Sequence, residues 1–425
     1  MERTQNEFKR FSEKDAARLP EYYDRIEAVA DILRDLSIKT PPNPKQGLRA
    51  ALNAALQLWP IATKGNQVHR DVYDLFTKSA RSFLDSWFEN EHIKAAFGFD
   101  SIVGNFASPD TPGSAYVLLH HVFGEVDGEK GAWGHAIGGM GAITQAMQKA
   151  CNDMGVKIFT DASVDRVIIE DGAAVGIQLD SGNLIKAKKI VSNLNPKLLY
   201  KKLISENDLD PEFNRSMDGY KCGSGTFRMN VALSELPDFS SLPGKEIAEH
   251  HKSGIVIAPT LDYMDKAYID AKSHGWSSAP IVEMLIPSTM DNTLAPEGKH
   301  VASLFCQQFS PTLPDGSSWH DHRFAAADTI IETVTKHAPN FRESILGMMI
   351  LSPLDLEEKF GLIGGDIMHG QMSLDQMWAA RPLMNYGNYR GPLKSLYMCG
   401  SGTHPGGGVT GLPGKNAARE IIKDL

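Results

Sequence analysis

The run Gly400-Ser401-Gly402-Thr403-His404-Pro405-Gly406-Gly407-Gly408-Val409-Thr410-Gly411 constrains the fold more than any other feature, because it sits almost at the C-terminus. It follows a short apolar segment, Leu396-Tyr397-Met398-Cys399, and leads into a terminal helical pattern that begins near Leu412. Backbone without Cβ can press against a ligand, and the free N–H groups of the helix that follows attract negative charge. The segment therefore reads as a ligand cradle. Gly406 to Gly411 also spells G-x-G-x-x-G, the fingerprint of a dinucleotide-binding βαβ unit. That reading fails on length. Only 14 residues follow Gly411, enough for a helix but not for the second strand and its ribose-binding carboxylate. A dinucleotide held here is held at the end that the ordinary fingerprint does not serve.

At 425 residues two domains are expected, and 42% hydrophobic residues suffice to bury both cores. A formal charge of -9 argues against a nucleic-acid surface, which needs clustered Lys and Arg. No apolar run approaches the ~18 residues of a spanning helix; the longest, Ala115-Tyr116-Val117-Leu118-Leu119, ends at His120-His121. Mixed charge over the first twenty residues shows neither a signal nor a transit peptide. The expectation is a soluble cytoplasmic protein, with the mitochondrial matrix as the alternative if further sequence precedes Met1. Cys151, Cys222, Cys306 and Cys399 are at least 71 positions apart, so no C-x-x-C pair supports a redox disulfide or a thiolate zinc site. They read as buried free thiols.

The first 130 residues read as helices. Ser12 with Asp15 suggests a capping box, and Tyr22, Ile26, Val29, Leu33 and Leu36 recur at helical spacing. After Pro41-Pro42-Asn43-Pro44, further stripes fall at Leu48, Leu52, Leu56, Trp59 and at Val72, Leu75, Phe76, Phe83, Trp87. These are expected to face a packed core rather than line a lipophilic pocket. Gly138-Gly139-Met140-Gly141 opens a helix with the face Ile143, Met147, Ala150 and Met154. Strands are expected from Val156 to Ile158, Val164 to Ile169, Gly176 to Leu179 and at Ile190-Val191, with tight turns at Asp171-Gly172 and 180–183. A second sheet is expected from about Gly219, with Phe227, Met229, Val231 and Leu233 alternating with Arg228, Asn230 and Ala232. It continues through 255–258, 281–286 and 301–309, and a helix follows with Phe324, Ile330, Ile331 and Val334 inward.

No serine stands in G-x-S-x-G, which removes the usual hydrolase elbow. His320-Asp321-His322 reads as a solvated helix start rather than a metal site, because i and i+2 side chains diverge on a helix. His369, in Gly364-Gly365-Asp366-Ile367-Met368-His369-Gly370, either sits against a planar ligand or marks a turn. His404, biased toward an extended backbone by Pro405, either touches cofactor or substrate or braces the loop.

With these elements placed, the chain resembles the phytoene desaturase branch of the FAD-dependent amine oxidase-like oxidoreductases. The resemblance is carried by Val191-Ser192-Asn193-Leu194-Asn195-Pro196 and by Ser108-Pro109-Asp110-Thr111-Pro112-Gly113-Ser114-Ala115-Tyr116-Val117-Leu118-Leu119-His120-His121. Gly131-Ala132-Trp133-Gly134, Met372-Ser373-Leu374-Asp375-Gln376 with Arg381-Pro382, and the terminal glycine motif complete it. It covers essentially the whole chain.

The resemblance implies an α/β protein with a bipartite, glutathione reductase-like FAD/NAD(P)-binding domain and an inserted substrate domain of helices and a mixed β-sheet. Residues 1–130 would be the helical part of the substrate domain and 131–205 the middle of the FAD domain. Residues 206–350 would supply the substrate-domain sheet and helix, and 351–425 the C-terminal FAD segment. Val164 would meet the adenine side of FAD through backbone atoms, and Gly400, Ser401 and Gly402 the pyrophosphate and ribitol. Gly408 and Val409 lead to Thr410, Gly411 and Leu412, whose N–H groups would face flavin N1 and O2. The family's opening strand, glycine turn, helix and acidic residue are not found ahead of the helical region. The expectation is therefore either a fragment lacking roughly 100 residues of a first nucleotide-binding unit or a natural short form.

The reaction implied is dehydrogenation of a largely apolar small substrate by hydride transfer to flavin, and then to an acceptor the sequence does not name. His404 and His369 are the candidates for a catalytic base. The alternative is a non-catalytic binding or regulatory protein that keeps the scaffold without stably held FAD. Peripheral membrane contact and self-association are left open.

Overall fold

The computed structural model describes residues 1–126, 128–132 and 134–425. Trp133 of the Gly131-Ala132-Trp133-Gly134 motif and the side chains of His120 and His121 lie outside the described residues. In chain order the helices that carry the architecture are α1 (Glu13–Ser37), α2 (Leu48–Ala62), α3 (Asn66–Thr77), α4 (Gly141–Asp153), α5 (Leu261–His274), α6 (Trp319–Thr335) and α7 (Leu412–Lys423). The strands are β1 (Val164–Glu170), β2 (Ala173–Leu179), β3 (Leu184–Lys186), β4 (Ile190–Ser192) and β5 (Phe227–Leu233), followed by β6 (Ile255–Ile257), β7 (Trp276–Leu285), β8 (His300–Phe309), β9 (Ile345–Leu351) and β10 (Leu396–Met398). They fall into two compact units, one of Met1–Phe123, Asp161–Ser224 and Leu356–Leu425, the other of Gly124–Thr160 and Gly225–Asp355.

In the first unit, α1 starts where Ser12 Oγ accepts the Asp15 N–H at 3.1 Å. Asp15 does not complete the capping box. Its buried carboxylate accepts the N–H groups of Glu89 and Asn90, both at 2.9 Å, and so ties the helix start to a distant loop. Leu19, Tyr22, Ile26 and Val29 are buried along α1, and Tyr22 packs edge-on to Trp87 at 5.5 Å. The stripe on α2 behaves differently. Leu48, Leu52, Leu56 and Trp59 are 77, 57, 72 and 66% exposed, which corrects their assignment to a packed core. The helix instead rests on its other side, where Ala50 is buried.

The β-meander forms with β1, β2 and β3 antiparallel; β1 and β2 cover the expected strands, whereas β3 is not among them. β4 then pairs in parallel with β10, Leu396 opposite Ile190 and Met398 opposite Ser192. This pairing joins the middle of the chain to its end.

The second unit is built on a five-stranded sheet in the order β9-β5-β8-β7-β6. Every pairing in it is antiparallel, which corrects the expected mixed sheet. Phe227, Met229, Val231 and Leu304 form one core cluster with Ala326, Ala327, Ile330 and Val334 of α6. Phe324 does not join them. It is 62% exposed, because six positions carry it about 120° round the helix from Ile330. α4 forms over the expected residues, and the Gly138 N–H before it donates to Asp291 Oδ2 at 2.7 Å. None of its residues is buried. Val156 to Ile158 is not a strand, which corrects that expectation. An extended segment needs a hydrogen-bonding neighbour to become a strand, and no pairing among the described residues involves it.

Candidate functional site

The glycine run is two structures in sequence. β10, with all three residues buried, hands its ladder on through the Cys399 N–H to Ser192 O at 2.9 Å. The next turn therefore lies on the loop that follows β4. A Cβ at Gly400 would stand 2.3 Å from Asn193 O, and one at Gly402 would stand 2.6 Å from Pro196 Cδ. Only glycine lets the two loops cross so closely. Thr403 closes the turn, its Oγ1 donating to Gly400 O at 2.8 Å. Gly407 is equally tight, since a Cβ there would meet Met368 Sδ at 2.7 Å.

From Gly408 the character reverses. Gly408, Val409, Thr410 and Gly411 are exposed, and a Cβ at Gly411 would meet no atom within 4 Å. Gly411 is the N-cap of α7 with φ +69°, a left-handed conformation natural to glycine. Thr410 Oγ1 accepts the Leu412 N–H at 3.2 Å, and Pro413 brings no N–H of its own. The first turn of α7 thus turns the positive end of a helix dipole toward exposed residues, with its Leu412 N–H already capped by Thr410. An open cradle at a helix N-terminus fits a planar ligand that carries or acquires negative charge.

His404 lies on the packed side of this boundary. Its imidazole N–H at Nε2 donates to Leu36 O at 3.0 Å, and its carbonyl accepts the Tyr389 hydroxyl at 2.9 Å. Burial pushes its pKa down to about 4, only partly offset by the bond to Leu36. The residue braces the loop as a neutral donor. His369 is half-buried with φ +58°, and its carbonyl accepts the Tyr220 hydroxyl at 2.8 Å. Its Nδ1 is buried without a hydrogen-bond partner. Burial, and next to it the positive charge of Arg381, hold its pKa below the ordinary value. A Cβ at Gly402 would lie 3.5 Å from His369 O, so this histidine stands beside the cradle wall. Val164 is at the opposite end of the β1–β2 ladder from Ala173 and Ala174, where the Ala174 N–H reaches Lys394 O at 2.9 Å. The fold brings His369, His404 and the glycine run together, and sets Val164 apart from them.

Arg381 organises the wall, a role the sequence motif Arg381-Pro382 did not reveal. It is fully buried, and its guanidinium donates to four carbonyls: Ser401 at 2.9 Å, Gln376 at 3.2 Å, Met368 at 2.7 Å and Gly370 at 3.2 Å. Five donors in a rigid fork suit such a hub, which a lysine could not replace. Asp366, also fully buried, accepts the Gly223 and Met368 N–H groups at 2.8 Å each. The one available signal was a charged residue inside the otherwise apolar run Trp378-Ala379-Ala380-Arg381-Pro382-Leu383.

Comparison with known proteins identifies the family. Residues 8–226 match the family described as flavin containing amine oxidoreductase. The chain is 37% identical to pyridine nucleotide-disulfide oxidoreductase domain-containing protein 2 of Rattus norvegicus, over 99% of this chain and 75% of that protein. A lycopene-forming phytoene desaturase of Pseudescherichia vulneris is 25% identical over 82% of this chain and 67% of its own length. Among solved structures, a triple mutant of putrescine oxidase shares the fold with a TM-score of 0.53 at 14% identity, over 97% of this chain and 76% of that one. All four cysteines are free, and only Cys306 is fully buried, which corrects the expectation of four buried thiols. Among the described residues no helix is long and apolar enough to cross a membrane. The match over residues 8–226 and the 37% identity to the rat protein place the chain in the flavin containing amine oxidoreductase family, as an FAD-dependent oxidoreductase.

Proposed function

We propose that the chain is a dehydrogenase of the desaturase type that removes two hydrogens from a largely apolar organic substrate. FAD, when bound, supplies the acceptor for the hydride. The observation that carries the reading is the open N-terminus of α7, where Gly408 to Gly411 are exposed and Gly411 has no neighbour within 4 Å of its missing Cβ.

Thr410 and Gly411 would border the flavin ring through backbone N–H groups, and Leu412, its N–H held by Thr410 Oγ1, through the positive end of the α7 dipole, favouring negative charge where it develops. Gly400, Ser401 and Gly402 would meet the pyrophosphate and ribitol by backbone atoms, because their Cβ side is filled by Asn193 and Pro196 at the two glycines. Val164 would serve the adenine end. The bipartite FAD domain would draw on 131–205 and 351–425, of which 161–205 and 356–425 share one compact unit and the parallel β4–β10 pairing, and the substrate domain on 1–130 and 206–350. His369 can hold a proton at its unpartnered Nδ1 beside the cradle, whereas His404 positions the loop. The apolar substrate class follows the phytoene desaturase relative.

Titration of the purified chain with FAD, followed by flavin fluorescence, tests the cradle. Gly411→Val raises the dissociation constant by about tenfold or more, because its side chain occupies the open edge. An unchanged constant overturns the assignment. For the reaction, anaerobic mixing with a detergent-solubilised polyene such as phytoene bleaches the flavin absorbance. Bleaching by an amine such as putrescine, with none by the polyene, overturns the substrate class.

A further inference from the structure

Between Ser37 and Arg70 the chain carries Lys39, Lys45, Arg49, Lys64 and Arg70 and neither Asp nor Glu, although its formal net charge is -9. α2 lies in the middle of this stretch. Leu48, Leu52, Leu56 and Trp59 recur every three or four positions, so they share one side of the helix. That side is the exposed one, at 77, 57, 72 and 66%. The opposite side does the anchoring: Ala50 is buried, and Gln57 Nε2 donates to Thr40 O at 2.9 Å. A surface helix ordinarily turns its apolar stripe inward and its polar face to water. α2 does the reverse.

An apolar stripe about 17 Å long, with a tryptophan on it and cations around it, has the chemistry of a helix that lies in a bilayer interface. Leucines enter the acyl boundary, Trp59 sits at headgroup level, and the basic residues meet anionic headgroups. We propose that α2 is a membrane-docking helix that seats the chain on an anionic phospholipid surface. A second copy of the chain is the weaker occupant, because two such helices face to face would bring the like charges of Lys45, Arg49 and Lys64 together. The inference rests on α2 alone and does not depend on the reaction proposed above.

Flotation of the purified chain with phosphatidylcholine vesicles, with and without phosphatidylglycerol, is the test. The chain floats with the anionic vesicles, at least about tenfold more than with pure phosphatidylcholine, and high salt reduces the difference. Leu52→Ser, Leu56→Ser and Trp59→Ser combined lower the bound fraction by more than about tenfold. Their melting temperature and circular dichroism stay those of the parent, because the replaced side chains are exposed. Lys45→Glu with Arg49→Glu and Lys64→Glu abolishes the preference for phosphatidylglycerol. No flotation with anionic vesicles, or equal flotation of the triple serine variant, overturns the proposal. So does a dimer in sedimentation velocity that the serine variant abolishes while vesicles bind neither protein.

Discussion

His404 spends its ring nitrogen on the chain itself, and that has a measurable cost in acid. In an unfolded chain the imidazole takes a proton near pH 6.5, whereas in the fold it stays neutral until about 4. Between those values the unfolded state binds the extra proton. The contribution is therefore complete above 6.5 and is lost as pH falls through the window, up to about 3 kcal/mol. Unfolding free energies from urea titrations at about pH 7.5 and about pH 5 should differ by about 2 kcal/mol more in the parent chain than in His404→Gln. Equal losses in the two proteins would remove the imidazole as the cause. A cradle containing His404 was visible in the sequence, but its partner Leu36 is 368 positions away, and no local pattern joins them. Arg381 was hidden for the same reason: its four acceptors are carbonyls, which every residue has and no sequence displays.

Elements repeat that lesson in another form. Apolar periodicity reports that a helix has two unlike sides, but not which neighbour each side meets. α1 and α2 carry similar stripes, and α1 buries Tyr22 and Ile26 while α2 exposes Leu52 and Leu56. Strands need partners as well as residues, so 164–170 and 227–233 formed where they were expected while 156–158 did not. On α6 the difference between sides is large enough to measure. Ile330→Ala empties a position in the sheet's core cluster and should cost about 2–5 kcal/mol in urea unfolding. Phe324→Ala, on the exposed flank, should change stability by less than about 0.5 kcal/mol. Comparable losses at both sites would mean that α6 packs through a wider face than its burial indicates.

For the whole molecule, FAD acts by mass action on the folded state. At a hundred times its dissociation constant it should add about 2.7 kcal/mol, so the melting temperature followed by intrinsic fluorescence climbs with the logarithm of FAD concentration. A flat response would mean that the folded chain has no preference for the cofactor. The two units could be anticipated only in outline, since the β4–β10 pairing that unites distant segments of the first unit follows from packing rather than from any motif. The same limit gives the glycine run its double meaning. At 400 and 402 a side chain has nowhere to go, whatever the protein does chemically; at 411 the space is free and only the left-handed backbone must be respected. A descendant that gave up its chemistry would still be held to glycine at the first two positions, while the third could drift to Asn or Asp, which tolerate that backbone. One repeated letter thus keeps two separate histories, one of architecture and one of use.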